Sequence, residues 1–249
     1  CTLHKTMRVG GSSLPNRELL ELPSQRLASV AAVADGVGGR SGGEVASRAA
    51  IEALAGYVTH ATDTYYTANA RNRDEFLEQL RRAAHLGHAA VQARAARDDD
   101  DRGAATTLTV VVAVWPTLYV LQVGDSRCYR HRGGRVERLT RDQTMAQDLV
   151  DSGILRADDA PRSRFASVLS SSLGGRSSTP VVSMSEMQAG DVYLLCTDGL
   201  TKHVSDAGIA ERLGALTSSE QACRALIDDA LADGGTDNIA AVVLRAIVR

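Results

Sequence analysis

The chain is 249 residues long, within the range of a single two-layer, β-rich domain. Apolar residues make up 44% and aromatics 4%, which excludes a disordered chain and predicts a core of aliphatic side chains and alanine. Lys+Arg 28 against Asp+Glu 30 gives a formal charge of −2, which argues against a nucleic-acid partner, whose phosphates need a basic face.

The four cysteines, Cys1, Cys128, Cys196 and Cys223, form no CxxC pair and read as reduced thiols of a cytoplasmic protein, not a disulfide framework or zinc site. No apolar run approaches a membrane span, and no signal peptide is evident. The sequence opens on Cys1 and a strand-like Thr2-Leu3-His4, so it is read as a fragment or an excised domain.

Residues 1–27 carry little regular signal beyond a loop at Gly10 to Pro15. A buried strand is predicted from Ala28 to Asp35, followed by a glycine-rich turn. Val45, Ala46, Ala49, Ala50, Ala53, Leu54 and Tyr57 recur at helical spacing and predict an amphipathic helix over 43–58. Phe76, Leu77, Leu80, Ala83, Ala84, Gly87 and Val91 do the same for 73–97, with Asn72 or Asp74 as its cap. Past the acidic turn Asp98 to Asp101 the period changes. Ala105 to Val114 is a β run broken by Pro116, and short strands follow at Leu118 to Gly124, Arg127 to His131 and Arg135 to Leu139. Gly133-Gly134 marks a hairpin, so the strands form an antiparallel meander. A helix is predicted over 141–153, an exposed irregular segment over 156–168, strands at 180–187 and 191–197, helices at 205–214 and 218–232, and a last strand from Ile239 to Val248. This order predicts an α+β fold: two antiparallel sheets packed as a β-sandwich, flanked by helix pairs in an α-β-β-α arrangement.

Asp35, Asp125, Asp198 and Asp237 each lie at a predicted strand edge with glycine next to it or, for Asp237, two residues before it in Gly235-Thr236-Asp237-Asn238. Asp-Gly is a common turn dipeptide, and one such pair means little. Aspartate is depleted in strands, however, and four at strand ends call for a reason. Clustered carboxylates repel unless neutralised, and this donor set suits hard divalent cations. Two such ions can activate a water and stabilise charge on a phosphoryl group. Spacing alone gives a two-metal hydrolase.

A set of blocks makes a resemblance specific: Val33 to Gly39 with Gly43 to Ser47, Gly103 to Thr107, Gly124 to Arg127 with Tyr129, Leu139 to Asp142, Leu169 to Gly174, Gly190 to Gly199, and Gly234 to Asn238. In this order they resemble the metal-dependent serine/threonine protein phosphatases of type 2C, in their bacterial form, across the whole chain. The resemblance implies that Asp35 bridges two core Mn²⁺ or Mg²⁺ ions and that the Gly36 carbonyl binds one of them. Asp198 and Asp237 complete the second ion's ligands, and Asp125 with Asp198 matches the site of a third ion. Asn238 orients Asp237. The implied reaction is hydrolysis of phosphoserine and phosphothreonine on proteins by a metal-bridging hydroxide, with no covalent enzyme intermediate.

The chain departs from the family pattern in four places. The Arg and the Asn-Glu-Asp stretch of the family's first strand are missing, and Cys1-Thr2-Leu3 looks like the continuation just after them; Arg8 and Asn16 are not substitutes. Val37 stands where some eukaryotic members have a histidine, Gln143 where the family usually has one, and Ser171 replaces a common arginine.

Other features take structural readings. His85 and His88 lie at i, i+3 without a carboxylate partner and read as surface or rim histidines. The glycine run 36–43 lacks the Gly-Lys-Ser/Thr of a P-loop. Ser170-Ser171-Ser172 lacks the partners of a nucleophile, and Asp98 to Asp101 lacks the spacing of a calcium loop.

The expectation is one phosphatase domain over 1–249, its first strand truncated, with 141–168 as a flap that sets substrate choice. Arg162 and Arg164 in the flap are weak candidates for substrate contact. The expected partners are a phosphoprotein and a serine/threonine kinase, with no nucleic acid, no membrane and a monomeric state. The alternative is a catalytically weak regulatory module of the same fold that binds a phosphoprotein or kinase. A metal-dependent phosphodiesterase or nuclease is a third reading, disfavoured by the charge balance.

Overall fold

The computed structural model describes residues 4–8, 19–23, 28–37, 42–60, 73–97 and 103–247. The acidic run 98–101, the loop 10–15 and Asn16 lie outside the described residues.

The centre of the fold is built on strands that are apolar on both faces. Strand β6 (Leu108–Val114) is buried along nearly its whole length because one face meets helices and the other meets a second sheet. Val110, Val112 and Val114 pack with Ala46, Ala50, Leu80 and Ala84 of α1 (Gly42–His60) and α2 (Arg73–Ala95). Val111 points the other way, into a cluster with Tyr193 and Leu195. The second sheet repeats the alternation. In β11 (Val192–Cys196), Leu194 and Cys196 face Ile209, Leu213, Leu226 and Ala230 of α5 (Asp206–Gly214) and α6 (Ser219–Ala232), while Tyr193 and Leu195 face the first sheet. Burying each of these larger side chains stabilises the fold by about 1.5–3 kcal/mol. Three cores in series make the α-β-β-α sandwich that the sequence predicts.

The first sheet has β3 (Ala28–Val33), β6, β7 (Thr117–Val123) and β10 (Val181–Glu186) in the order β10-β7-β6-β3. The second has β8 (Arg127–Arg132), β9 (Arg135–Arg138), β11 and β12 (Ala241–Arg245) in the order β12-β11-β8-β9. All pairings are antiparallel. Gly133 and Gly134 both have positive φ, 56° and 79°, as the tight β8–β9 hairpin requires. The chain crosses from one sheet to the other between β7 and β8, at Gly124-Asp125-Ser126.

The structure corrects several boundaries. Within the first 27 residues, β1 (His4–Arg8) and β2 (Leu19–Pro23) pair antiparallel, which the sequence pattern does not announce. The run 105–114 is two strands, not one: β5 (Ala105–Thr106) pairs with β4 (Gly36–Val37), and β6 pairs with β3. The switch falls at Thr107, whose side chain bonds across to Asp35. The helix predicted over 141–153 is α3 (Met145–Asp151); it starts late because Thr144 caps it, its Oγ1 accepting from Gln147 N at 3.2 Å. The segment 156–168 contains a 3-10 turn (Ala157–Arg162) and is otherwise irregular. The last strand is shorter than predicted because Ala240 bonds to Thr197 instead: Thr197 N donates to Ala240 O at 3.1 Å, and Ala240 N donates to Thr197 Oγ1 at 3.0 Å. Among the described residues no helix is long and apolar enough to cross a membrane.

Candidate metal centre

Asp35 follows β3 and is clamped through its backbone. Its N–H donates to Thr107 Oγ1 at 2.9 Å, and its carbonyl accepts from Thr107 N at 2.8 Å and Thr106 Oγ1 at 2.9 Å. Thr107 Oγ1 also meets Ser126 Oγ at 2.6 Å, which ties Asp35 to the turn carrying Asp125. With the backbone fixed at both ends, the Asp35 carboxyl is held where β3 gives way to β4. The next residue must be glycine: a Cβ on Gly36 would sit 1.9 Å from the Gly43 carbonyl oxygen, so helix α1 can start against this turn only if no side chain intervenes.

Asp198 follows β11 and opens the one-turn helix α4 (Asp198–Thr201). Asp237 does not lie at a strand edge as expected; it stands in the loop before β12, where its Oδ1 accepts from the backbone N–H of Asn238 at 2.8 Å. Asn238 thus acts on Asp237 through its main chain. Its carbonyl packs on Gly199, where a Cβ would come within 2.2 Å, so the glycine after Asp198 lets the Asp237 loop close down on α4.

These elements gather the four aspartates. The Asp35 carboxyl is in hydrogen-bonding contact with that of Asp198, inside the field of Asp237 and Asp125. Burial first, and then the Asp198 charge, push Asp35 up to about 7. Burial followed by Asp198 and Asp142 pushes Asp125 up to about 7 as well. One cation is already present. Lys202 Nζ lies 2.8 Å from Asp198 Oδ2 and 2.5 Å from Asp237 Oδ2. This contact holds Asp237 below the usual carboxylate range. Against partial burial, the two carboxylates raise Lys202.

Chemically the donor set fits hard divalent cations: oxygen-only, strongly anionic, and costly to bury without compensating positive charge. The geometry fits only with a rearrangement. Among the described residues no three His, Cys, Asp or Glu side chains already surround a common point, and the ammonium of Lys202 stands between two of the carboxylates.

Neighbouring groups brace the cluster. Arg127 grips Asp142 with a fork, Nε to Oδ1 at 3.0 Å and Nη2 to Oδ2 at 2.7 Å, and donates from Nη1 to Tyr129 Oη at 3.0 Å. Gln143, at the family's histidine position, bridges two segments: its Oε1 accepts from Gly124 N at 2.8 Å and its Nε2 donates to Thr179 O at 2.9 Å. It therefore holds the turn that presents Asp125. Ser171, at the arginine position, is buried and accepts from Thr179 N at 2.9 Å. Ser172 is buried beside it, a strand-and-turn serine as expected. His88 Nδ1 accepts from Gly174 N at 3.0 Å, a structural role, and His85 is exposed. Val37 is 46% exposed. Arg162 and Arg164 are exposed and engaged locally, Arg162 with the Asp158 carbonyl at 3.3 Å and Arg164 over the Phe165 ring at 4.6 Å. Neither is brought to the aspartates by any ion pair among the described residues.

Sequence reasoning missed Thr107, Lys202 and His203. His203 Nδ1 meets Asp233 Oδ2 at 3.0 Å and its Nε2 accepts from Thr236 N at 3.1 Å, pinning the loop that carries Asp237. Of the 28 lysines and arginines only two are lysines, Lys5 and Lys202, and that scarcity does not by itself mark Lys202 as a site residue.

Residues 18–233 match the family model described as protein phosphatase 2C. The chain belongs to the protein phosphatase 2C family. Among phosphatase 2C relatives, the serine/threonine protein phosphatase PstP of Mycobacterium tuberculosis is 38% identical over 220 residues, covering 88% of this chain. The chain spans 41% of the length of that curated relative. The serine/threonine phosphatase stp of Listeria innocua is 28% identical over 215 residues, 86% of this chain and 82% of that protein. The crystal structure of the PstP catalytic domain in complex with two manganese ions superposes with a TM-score of 0.74 at 31% identity, covering 100% of this chain and 98% of that one.

Proposed function

We propose that the chain is a phosphatase 2C domain that hydrolyses phosphoserine and phosphothreonine on proteins with Mn²⁺ or Mg²⁺, two ions and a third at Asp125. The observation that carries this reading is the convergence of four aspartates from both sheets, two of them pushed up to about 7 by burial and mutual repulsion. Such a cluster is destabilising by itself and becomes favourable once a cation is bound. In this reading Asp35 and the Gly36 carbonyl, Asp198 and Asp237 hold the two core ions, and Asp125 with Asp198 the third. The ions supply Lewis-acid activation of water and neutralise charge on the phosphoryl group. The chain's own residues do the positioning: Thr107 fixes Asp35, Gln143 fixes the Asp125 turn, and Asn238 N–H with His203 fixes the Asp237 loop.

Residues 1–249 are taken as one domain, with 141–168 as a flap whose exposed Arg162 and Arg164 meet the phosphoprotein. The partner reading is a phosphoprotein with a serine/threonine kinase as counterpart, the domain being monomeric. Cytoplasmic location suits the buried free thiols of Cys128 and Cys196.

The test is Mn²⁺-dependent phosphate release from a phosphothreonine peptide, compared with Asp198→Asn. Activity that requires metal and is lost in the variant is the expected result. Metal binding without turnover, in protein that is otherwise folded, would leave the regulatory-module reading in its place.

A further inference from the structure

Lys202 is one of two lysines in the chain, and it caps α4 four residues after Asp198. One helical turn brings its ammonium back over the Asp198 carboxylate, and the loop packed on Gly199 brings Asp237 to the same point. The lysine charge is compact, so a single Nζ meets both carboxylates at once, on a flexible stem that can carry it away.

We propose that Lys202 is a built-in counter-ion that competes with the divalent cation for Asp198 and Asp237 and must swing out before that cation binds. This rests on the metal-dependent reading above. The physical reason is exclusion by charge. An ammonium within 2.8 Å of both carboxylates leaves no room for a divalent ion on the same oxygens, and the two positive charges repel at that range whatever the dielectric. While the metal is absent, Lys202 neutralises one face of the cluster and keeps the Asp237 loop docked. When the metal arrives, two ion pairs are given up, so this position is weakened relative to the other. Lys202 thereby sets the cation concentration at which the second position fills.

Mn²⁺ calorimetry on the intact chain and on Lys202→Met tests the proposal, with Lys202→Arg as the charge-retaining comparison. Two partly exposed ion pairs predict that Lys202→Met tightens the weaker Mn²⁺ affinity about five- to thirtyfold, while Lys202→Arg does not tighten it. A second readout needs no variant. Amine acylation followed by peptide mass analysis reports on Lys5, Lys202 and the terminal amine alone, and Mn²⁺ saturation is expected to raise Lys202 labelling severalfold relative to Lys5. Wild type and Lys202→Met binding Mn²⁺ equally, or Lys202 labelling unchanged by bound Mn²⁺, would overturn the competitor role and leave the metal reading standing. Failure of either protein to bind Mn²⁺ would overturn both.

Discussion

Thr107 holds Asp35 at both its N–H and its carbonyl: the Thr107 hydroxyl accepts from the Asp35 N–H at 2.9 Å, and the Thr107 backbone N–H donates to the Asp35 carbonyl at 2.8 Å. The same hydroxyl reaches Ser126, so one buried side chain sets the spacing between the turns of Asp35 and Asp125. Thr107→Val keeps the shape and removes the hydroxyl, leaving the Asp35 N–H and Ser126 without that partner. The expected cost is about 1–3 kcal/mol in denaturant unfolding, with weaker Mn²⁺ binding, and Thr107→Ser should restore most of both.

A different prediction concerns the contact between Gly199 and Asn238. In Gly199→Ala the new methyl would meet the Asn238 carbonyl at 2.2 Å and Asp237 Cβ at 3.4 Å, so the loop must lift. Destabilisation of about 1–3 kcal/mol is expected, together with loss of the weaker Mn²⁺ affinity. Gly56→Ala, in the exposed middle of α1 with nothing within 4 Å of a Cβ, should instead stabilise by about 0.5–1 kcal/mol.

In the metal-free protein, Asp35 and Asp125 titrate at about 7 when folded and near the ordinary aspartate value of about 4 when unfolded. Between these values the folded state binds more protons, so stability falls as pH rises through the window and the loss is complete above about 7. Metal-free protein should therefore melt higher at pH 5.5 than at pH 8. Bound Mn²⁺ favours the ionised carboxyls, so binding near pH 6.5 should release protons, read as a calorimetric heat that changes with the buffer's ionisation enthalpy.

Asp191 is a buried carboxylate outside the candidate metal centre. Its buried side chain accepts from Arg132 Nε and Nη2 at 2.6 Å, Gln188 N at 2.7 Å and Tyr193 Oη at 2.8 Å. Asp191→Ala strands those donors and should cost about 3–5 kcal/mol of stability, while Mn²⁺ affinity of the protein that remains folded stays unchanged.

The flap can be tested only within limits that the structure sets. Asp142 and Gln143 belong to the bracing of Asp125, and Thr144 bridges Leu169, so the exchangeable part lies between them. Replacing residues 152–167 should leave Mn²⁺ binding intact and change the ranking of phosphopeptide substrates. An unchanged ranking would remove the flap from substrate choice.

The layered fold is legible because its strands and helices carry distinct periods, and the aspartates because Asp35, Asp125 and Asp198 stand beside a glycine and Asp237 two residues after one. The break at Thr107 is not: a β-branched run reads alike whether it is one strand or two, and the switch is made by a hydroxyl bonding to a residue 72 positions away. Lys202 reads locally as an ordinary surface lysine, and its partner Asp237 is 35 positions on. Gln143 reads in the sequence only as a departure from the family's usual histidine, and in the structure it positions a backbone. In each case a side chain acts through a long-range partner, which spacing along the chain does not encode.

The carboxylates that meet at Asp35 come from opposite ends of the chain, with Asp237 in the loop leading into β12. A ribosome delivering the chain from its N-terminus therefore makes every other part of the cluster first. The cluster is complete only after residue 237 has emerged, and the loop is set only when β12 has paired with β11. If the cluster holds cations as proposed, their capture is thus a late event in biosynthesis, waiting on completion of the second sheet.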